Sequence, residues 1–345
     1  MIEFDPKELK AALRLLAPAL RGKGPYMLEQ VLVSFRDGEA TLTASNMDIE
    51  ISVALPASAD FVGAFLVHNK RLKEIATGDR KKTLKRVFLQ KPMLDSEAAP
   101  TGEFPRLQPG EMKAVNSDYL SGVLSTAVKT TAKKDIRHYL NGVLLDGDAN
   151  AIVATDGIRL ARRSFDFGAS GKYIVPAAAV KVIASALKHD DAKLSVSDRF
   201  IVVERDGFKA TAKTIDGTYP DWQRIAYVKQ KDWLVIKSRT DFIAALKRIK
   251  PTKHNYIALY ARKGRLRIEA DVLDEEEAEA ETVEIEQYGF DGYFCSLDAS
   301  CLLASLQAID EPRVVMQTAK NGAVKILGAN SPESDGFDII MGLNK

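Results

Sequence analysis

The sequence has few of the residues on which metal sites and disulfide-linked folds depend. Only two of its 345 residues are cysteine and four are histidine, and the formal net charge is +2. Two cysteines are too few for a disulfide framework, so we expect a reducing compartment, the cytoplasm. No apolar run approaches the ~20 residues that span a bilayer, and the first residues do not resemble a signal peptide. We therefore expect no contact with a membrane.

Motifs for catalysis or cofactor binding are also missing. Residues 168–172 contain glycine and lysine but lack the spacing and the hydroxyl of a phosphate-binding loop, and no G-x-G-x-x-G follows a strand signal. Cys295 and Cys301 have no histidine cluster beside them, so buried thiols are expected in place of zinc. The acidic run 274–279 lacks the glycine of a calcium loop. The sequence therefore predicts no catalytic residue, no metal and no cofactor.

One short pattern occurs twice. Residues 103–108 read E-F-P-R-L-Q and residues 218–223 read T-Y-P-D-W-Q, so an aromatic-proline pair is followed each time by glutamine. Pro105 recurs as Pro220 after 115 residues, which is one third of the 345-residue chain. Because this period is much longer than a solenoid unit, it indicates repetition of whole domains.

Each third of the chain is predicted to begin with an amphipathic helix. Asp5 is the predicted N-cap of the first, with Pro6 and Glu8 in its first turn. Ser117 is the predicted N-cap of the second. The apolar positions follow helical spacing. They are Leu9, Leu13, Leu16 and Leu20; Leu120, Val123, Leu124 and Ala127; and Phe242, Ala245, Leu246 and Ile249.

Strand signals and a second helix follow in each third. The strand signals at 38–46, 151–156 and 264–271 end in polar turns at Asn46, Asp156 and Asp271. The second helices are predicted at 69–76, 176–188 and 297–309. The order helix, strands, helix, strands therefore occurs three times. This predicts an α+β chain of three similar domains, with limits at 1–113, 114–226 and 227–345.

Basic residues concentrate on five of the six predicted helices, although the chain as a whole is nearly neutral. If these helices share one side of an assembly, that side binds a polyanion through phosphates and is indifferent to base sequence. An ordinary solvated surface is the alternative interpretation for any single helix.

Three segments resemble the signatures of one family. Residues 137–143 (RHYLNGV), 154–161 (ATDGIRLA) and 217–225 (GTYPDWQRI) look like those of the bacterial DNA polymerase III beta subunit, the sliding clamp. The resemblance covers essentially the whole chain. It implies the DNA clamp fold, in which each chain has three similar domains. Two chains then close head to tail into a ring, with helices inside and sheets outside.

The resemblance also implies a pocket between the second and third domains, into which partner proteins insert a short hydrophobic peptide. A hydrophobic groove with a few polar groups suits such a ligand. The positions that match the family's pocket are Leu140, Thr155, Gly157, Leu160, Pro220, Arg224, Ile225, Ile339 and Met341. Ordinary core or interdomain packing is the alternative for each residue taken alone.

Further positions follow from the same resemblance. Phe104, Leu107 and Ile249 match places near the subunit contacts, with core packing as the alternative. The expected DNA-facing residues are Arg21, Lys23, Lys70, Arg71, Lys133, Lys134, Arg137, Tyr139, Lys181, Lys247 and Arg248. Three positions depart from the family. Gly342 stands where proline is usual, Asn344 where arginine is frequent, and Asp298 where an aromatic pocket residue is expected.

The sequence thus predicts a homodimeric DNA sliding clamp, a polymerase processivity factor that performs no bond chemistry. Its expected partners are duplex DNA of any sequence, a DNA polymerase and clamp-loader subunits, the proteins binding through short hydrophobic peptides. One alternative is a monomeric DNA-binding protein with a single basic face and no ring. A second alternative is an enzyme with a carboxylate site in a cleft between repeats.

Overall fold

The structure is a computed structural model that describes residues 2–20, 26–77, 87–89, 101–226, 230–249, 255–270, 280–288, 292–332 and 335–342. It contains two compact units. Unit 1 comprises Met1–Ser121 and Ala178–Ile215, and unit 2 comprises Gly122–Ala177 and Asp216–Lys345. The units therefore divide the middle third of the chain between them. The predicted domain limits follow the repeat in the sequence and stay a prediction.

The three thirds, called copies 1 to 3 below, contain the same succession of elements. Copy 1 contains β1 (Ile2–Phe4), α1 (Pro6–Leu16), β2 (Gln30–Arg36), β3 (Glu39–Ser45), β4 (Ile49–Ala59), β5 (Gly63–His68), α2 (Asn69–Thr77) and β6 (Val87–Leu89). Copy 2 contains β7 (Lys113–Val115), α3 (Leu120–Ala127), β8 (Gly142–Asp146), β9 (Ala151–Thr155), β10 (Arg159–Ser164), β11 (Lys172–Pro176), α4 (Ala177–Ala186), β12 (Lys193–Val196), β13 (Phe200–Arg205), β14 (Phe208–Lys213) and α5 (Trp222–Ala226). Copy 3 contains β15 (Gln230–Ile236), α6 (Arg239–Arg248), β16 (Tyr256–Arg262), β17 (Arg265–Ala270), β18 (Ala280–Tyr288), β19 (Gly292–Asp298), α7 (Ala299–Gln307), β20 (Val314–Ala319), β21 (Ala323–Gly328) and β22 (Gly336–Met341). Strand, helix, four strands, helix and further strands thus recur, as the sequence predicted.

Each unit is built on one antiparallel sheet. The sheet of unit 1 has the strand order β5-β2-β3-β4-β14-β13-β12-β7, with β1 and β6 attached beside β4. The sheet of unit 2 has the order β11-β8-β9-β10-β22-β21-β20-β15-β18-β17-β16-β19. The predicted α+β class is confirmed.

Two strand pairings join successive copies. In what we call the first seam, β4 of copy 1 pairs with β14 of copy 2 from Ile49↔Ala212 to Val53↔Phe208. In the second seam, β10 of copy 2 pairs with β22 of copy 3 from Arg159↔Ile340 to Arg163↔Gly336. In both seams the third strand after a copy's first helix receives the last strand of the next copy. The repeat in sequence is therefore a repeat in strand pairing.

The first helix of copy 1 begins as predicted. The Asp5 carboxylate accepts hydrogen bonds from the backbone N–H groups of Lys7 and Glu8, at 2.7 and 3.3 Å. The apolar face of α1, including Leu9, Leu13 and Leu16, is buried, and α1 lies against α2 and β4. This placement follows from the spacing of the leucines, because positions three and four apart share one helix face.

The other two first helices differ in how they begin. In copy 2, α3 begins at Leu120, whose N–H donates to the backbone carbonyl of Ser117. In copy 3, the Ser238 hydroxyl caps α6 by accepting from the N–H of Asp241. The predicted apolar stripe of α6 is confirmed, because its members all lie in the core of unit 2.

Candidate functional site

A tight turn between β9 and β10 forms the centre of the predicted pocket. One carboxylate oxygen of Asp156 accepts from the backbone N–H groups of Ile158 and Arg159, at 3.0 Å each. The other accepts from Nε of Arg159 at 3.0 Å. Gly157 has φ +94°, a backbone angle that residues other than glycine rarely adopt. A Cβ at this position would lie 3.2 Å from the Arg137 guanidinium. The turn therefore requires glycine, and it leaves the Ile158 side chain 60% exposed.

Buried side chains on both sides of this turn form a floor. Leu160 pairs with Thr155 in β9 and with Ile339 in β22. All three are buried, as is Leu140. The Thr155 hydroxyl donates to the carbonyl of Arg159 at 2.6 Å and accepts from the N–H of Gly157 at 3.1 Å. The hydroxyl thus satisfies two backbone groups of the turn, which is why a polar residue is tolerated there.

The C-terminal strand adds an accessible apolar side chain to the turn. The N–H of Met341 donates to the carbonyl of Ile158 at 2.8 Å, and Met341 is 36% exposed. The next residue, Gly342, donates its N–H to Gly322 at 2.9 Å. A Cβ at Gly342 would lie 2.5 Å from the same carbonyl oxygen. Proline, which lacks the N–H, is therefore incompatible with this geometry, and this accounts for the departure at position 342.

The segment that repeats the aromatic-proline pair lies beside the turn. Tyr219 is buried next to Thr155 and Asp156, and this burial raises the pKa of its hydroxyl. Trp222 donates its indole N–H to the buried Asp146 carboxylate at 3.1 Å. This bond fixes the start of α5, on which Ile225 is 40% exposed and Arg224 is exposed. Pro220 is partly buried.

The predicted pocket residues thus divide into two groups within unit 2. Leu140, Thr155, Leu160 and Ile339 are buried, whereas Arg224, Ile225 and Met341 are accessible. Sequence reasoning missed Ile158, the most exposed apolar residue of the group. The Asp-Gly-x-Arg spacing around it could have identified it, because an Asx turn with a left-handed glycine turns the intervening side chain outward.

Asp298, the position where an aromatic residue was expected, has a structural role. Its carboxylate caps α7 by accepting from the N–H of Cys301 at 2.9 Å, and it also accepts from the Ser300 hydroxyl at 2.5 Å. An acidic N-cap stabilises a helix through its orphan N–H groups and its dipole. Cys301 is half-buried, and burial raises the pKa of its thiol to about 11.

The predicted DNA-facing residues that the structure describes are accessible in both units. Lys70 and Arg71 lie on α2, Lys181 lies on α4, and the others lie in unit 2. Those in unit 2 are Lys133, Lys134, Arg137, Tyr139, Lys247 and Arg248, of which Tyr139 is partly buried. Arg21 and Lys23 lie outside the described residues.

Three of these cations are paired with acids. Arg71 lies 4.0 Å from Glu74. Arg248 forms two hydrogen bonds with Glu281, at 2.7 and 2.9 Å. Arg137 bonds Asp135, and the guanidinium lowers the pKa of that carboxyl from 3.8 to about 2. Any stability from this pair is therefore present above pH ~4 and is lost as the pH falls toward 2. In the described part of the chain, Lys70, Lys133, Lys134, Lys181 and Lys247 have no such ion pair.

The three predicted subunit contacts are buried within the single chain. Phe104 and Leu107 are 4% and 8% exposed, and Ile249 is 6% exposed. The N–H of Leu107 donates to the buried Glu50 carboxylate at 2.8 Å. Their assignment to a subunit interface stays a prediction.

The described residues show neither a metal-binding cluster nor a membrane-spanning helix. They contain no group of three histidine, cysteine, aspartate or glutamate side chains that could hold a metal. Among the helices that the structure describes, none is long and apolar enough to cross a membrane.

Comparison with known proteins gives consistent matches. The family model for the DNA polymerase III beta subunit, central domain, matches residues 114–221. The Beta sliding clamp of Pseudomonas aeruginosa is 27% identical over 288 residues, covering 76% of this chain and 78% of that protein. The Beta sliding clamp of Salmonella typhimurium is 25% identical, with 92% and 94% covered.

Solved structures match over nearly the full length. The DNA polymerase III subunit beta of Pseudomonas aeruginosa aligns with a TM-score of 0.84 at 22% identity, covering 100% of both chains. The Caulobacter crescentus beta sliding clamp aligns with a TM-score of 0.87 at 21% identity, covering 100% of this chain and 99% of that one. At these identities the likeness shows the fold. The sequence matches support a divergent member of the bacterial DNA polymerase III beta subunit, or beta sliding clamp, family.

Proposed function

We propose that the chain is the subunit of a DNA sliding clamp, a cytoplasmic processivity factor. Two copies of the chain form the clamp by closing into a ring around duplex DNA. It holds a polymerase on its template and performs no bond chemistry. The observation that carries this proposal is the repeated seam. β4 pairs with β14, and β10 pairs with β22. In each pair, equivalent strands of the two copies make the contact. The curated relatives of this chain are beta sliding clamps.

Repeated seams of this kind support a ring by geometry. A contact that joins unlike faces of successive copies is head to tail, and such contacts either close into a ring or continue as a filament. Copy 3 contains β18, the equivalent of β4 and β10. It pairs with β17 from Ala280 to Glu284 and with β15 only from Ile285 to Tyr288, so Ala280–Glu284 have no second strand partner among the strands that the structure describes. A further contact from copy 3 of one chain to copy 1 of a second chain would continue the pattern and close it.

The accessible cations support a sliding contact with DNA. Lys70, Lys133, Lys134, Lys181 and Lys247 are exposed, and long flexible ammonium groups contact phosphates without reading bases. Weak contacts of this kind exchange readily as the ring moves, and their affinity for DNA falls steeply as the salt concentration rises. A topological link, by contrast, is not salt-sensitive.

This difference in salt dependence gives the test of the ring. Dilute, dissociated chains would be mixed with nicked circular plasmid and then concentrated, so that rings close around the DNA. The complex would then be washed at high salt. We expect the protein to remain on the circle and to leave when a restriction enzyme linearises it. A linear duplex blocked by bulky proteins at both ends is the matched control and should retain the ring. Equal loss from open circles and unblocked linear DNA would favour a monomeric protein with one basic face.

We further propose that the exposed apolar residues around the Asp156 turn receive the peptide of a polymerase or clamp-loader subunit. Ile158, Ile225 and Met341 are 60%, 40% and 36% exposed. Side chains of this kind above a buried floor form an anchor site for one or two apolar peptide residues. Arg224, exposed on the same helix as Ile225, supplies a cation at the edge.

The exposure values decide which variants test this pocket. Leu160→Asp would bury an unpaired carboxylate at a 3% exposed position, so lost binding could result from unfolding. Met341→Asp and Ile225→Asp change accessible side chains instead, and each should weaken binding of a partner peptide by about tenfold or more. The matched control is Val62→Asp in unit 1, where Val62 is 68% exposed. Unchanged binding by both pocket variants would refute the assignment while leaving the ring untouched.

A further inference from the structure

A cavity of about 480 Å³ lies within unit 1, at the first seam. It is formed by the end of α1, the turn between β3 and β4, one side of α4 and the start of β14. Its volume falls within the ~300–1,000 Å³ of pockets that bind small ligands. The residues of the proposed peptide pocket all belong to unit 2, so this cavity is a separate site.

The fold relates this cavity to the Asp156 turn. Asn46 in copy 1 occupies the place of Asp156 in copy 2. Its side-chain oxygen accepts from the N–H groups of Asp48 and Ile49, at 3.0 and 2.8 Å. Its amide nitrogen donates to the carbonyl of Pro18, just after α1, at 3.4 Å. The first seam thus repeats the turn that lies at the centre of the proposed pocket of the second.

The lining combines an apolar wall with positive charge. Eight of its fourteen residues are apolar, including Leu15 on α1 and Val182 on α4, and none is acidic. The four ionisable residues of the lining are Arg14, Lys181, His189 and Arg205. An apolar wall with cations and no acid is complementary to a ligand with one apolar group and one carboxylate.

Arg205 places a cation beside the apolar wall. Its guanidinium carbon lies 5.0 Å from the centre of the Phe208 ring. Its Nε is buried and has no hydrogen-bond partner among the described residues. The nearby Asp191 carboxylate accepts the backbone N–H of Asp206 at 2.8 Å. The guanidinium also donates from Nη1 to the carbonyl of Asp206 at 3.3 Å. A carboxylate in the cavity would be attracted by the charge of Arg205, together with those of Arg14 and Lys181.

We propose that this cavity binds a short peptide segment of a protein partner in which an aliphatic side chain adjoins a carboxylate. Duplex DNA fits less well, because its phosphates offer no aliphatic group for the apolar wall. An unpaired base fits less well too. Arg205 covers the ring of Phe208, and Asn46 already uses both its amide oxygen and its amide nitrogen in local hydrogen bonds.

The probe for this site is N-acetyl-Leu-Asp amide, compared with N-acetyl-Leu-Asn amide, each titrated into the full-length chain. Binding would be followed by the methyl resonances of Leu15 and Val182. We expect the aspartate compound to shift both resonances and to bind about tenfold more tightly than the asparagine compound. Arg14→Glu should weaken binding about as much, since it reverses a charge of the lining. Ser185→Phe, which changes an exposed lining residue on α4, should block the cavity without removing a cation.

Control experiments separate this site from the two proposed earlier. Met341→Asp should leave the methyl shifts unchanged, because Met341 belongs to unit 2. The proposal is overturned if the two compounds bind equally, or if Ser185→Phe binds normally. It is also overturned if a 20-base-pair duplex shifts these resonances at concentrations where the aspartate compound does not. Circular dichroism of each variant would establish that it is folded. If Ser185→Phe does not fold, Arg14→Glu still tests the proposal, because Arg14 is at an exposed position.

Discussion

The two seams have the same strand pairing but different buried charges. At the first seam, Glu50 of β4 is 6% exposed and accepts from Arg106 at 3.0 Å and from the N–H of Leu107 at 2.8 Å. The Arg106 side chain is itself 48% exposed. At the second seam, Asp338 of β22 pairs with Arg163 at 2.6 Å. Both side chains are mostly buried, since Asp338 is 6% and Arg163 is 15% exposed.

The second seam also holds more positive charge. Arg162 and Lys325 are 7% and 4% exposed, and the Lys325 ammonium lies 4.8 Å from the centre of the Phe337 ring. These two side chains lie on the face of the sheet that carries Phe337, whereas Asp338 and Arg163 lie on the opposite face, because successive side chains of a strand alternate. The comparison teaches that one backbone arrangement can be held in two ways. The first seam lets water screen its cation, whereas the second contains an ion pair that is mostly shielded from water.

The largest effect is expected from Asp338→Ala. The change leaves the Arg163 guanidinium without its carboxylate in a mostly buried position, and removing one partner of a buried pair costs about 3–5 kcal/mol. Urea unfolding, together with hydrogen exchange of the β10 and β22 amides, would measure the loss. Asp310→Ala, at an exposed position of unit 2, is the control and should be near neutral. If both variants unfold alike, the Asp338–Arg163 pair does not hold the second seam.

Glu50→Ala at the first seam should have a smaller effect. The N–H of Leu107 loses its acceptor, which costs about 1–3 kcal/mol. Arg106, by contrast, is half exposed and gains water in exchange. Glu50→Gln is the matched variant, because its amide oxygen can still accept from Leu107, and it should recover part of the loss. If Glu50→Ala destabilises as much as Asp338→Ala, the proposed difference between the seams is wrong.

The sequence predicted the parts of the fold that depend on local periodicity. The leucine spacing of α1 and the apolar stripe of α6 were identified because apolar residues recur with the helical period. The strand that became β9 was identified as an apolar run that ends in a polar turn. The turn residues Asn46 and Asp156 were also identified, since polar residues that end strands favour Asx turns. The structure adds that these two residues make the same backbone bonds.

Other features depend on contacts between distant residues, which no local pattern reveals. Glu50 and Arg106 are 56 positions apart, and Arg163 and Asp338 are 175 apart. The requirement for glycine at position 342 comes from the Gly322 carbonyl in the turn between β20 and β21. The exposure of Ile158 likewise follows from a turn geometry rather than from its apolar character. The pocket residues were reached through the family resemblance, and their division into floor and rim required the structure.

A substitution at the C-terminal end of the second seam should have a local effect. Gly342→Pro removes the N–H that bonds Gly322 and places carbon atoms near its carbonyl oxygen. We expect a local loss of about 1–2 kcal/mol, limited because the end of the chain can fray. Hydrogen exchange at Met341 would measure it, with Gly342→Ala as the variant that keeps the N–H. Because its Cβ would also lie 2.5 Å from the Gly322 carbonyl oxygen, Gly342→Ala should speed exchange at Met341 as well, but less than proline. Faster exchange in the proline variant alone would assign the effect to the lost bond and contradict the close approach, and unchanged exchange in both would contradict both contributions.

The smallest effect is expected from exchanging the turn residues of the two seams. Asp156→Asn keeps the oxygen that accepts from Ile158 and Arg159 and removes only the pairing with the Arg159 guanidinium. That pairing involves side chains that are 24% and 19% exposed, so the loss should stay below about 1 kcal/mol.

Asn46→Asp keeps the same backbone acceptor but loses the donor to Pro18, with a cost of about 1 kcal/mol. Urea unfolding of both variants would compare them. If each is nearly neutral, the turns are equivalent and the seams differ through Glu50 and Asp338. A loss from Asp156→Asn as large as that from Asp338→Ala would instead show that the Asp156–Arg159 pair contributes to the second seam as much as the Asp338–Arg163 pair does.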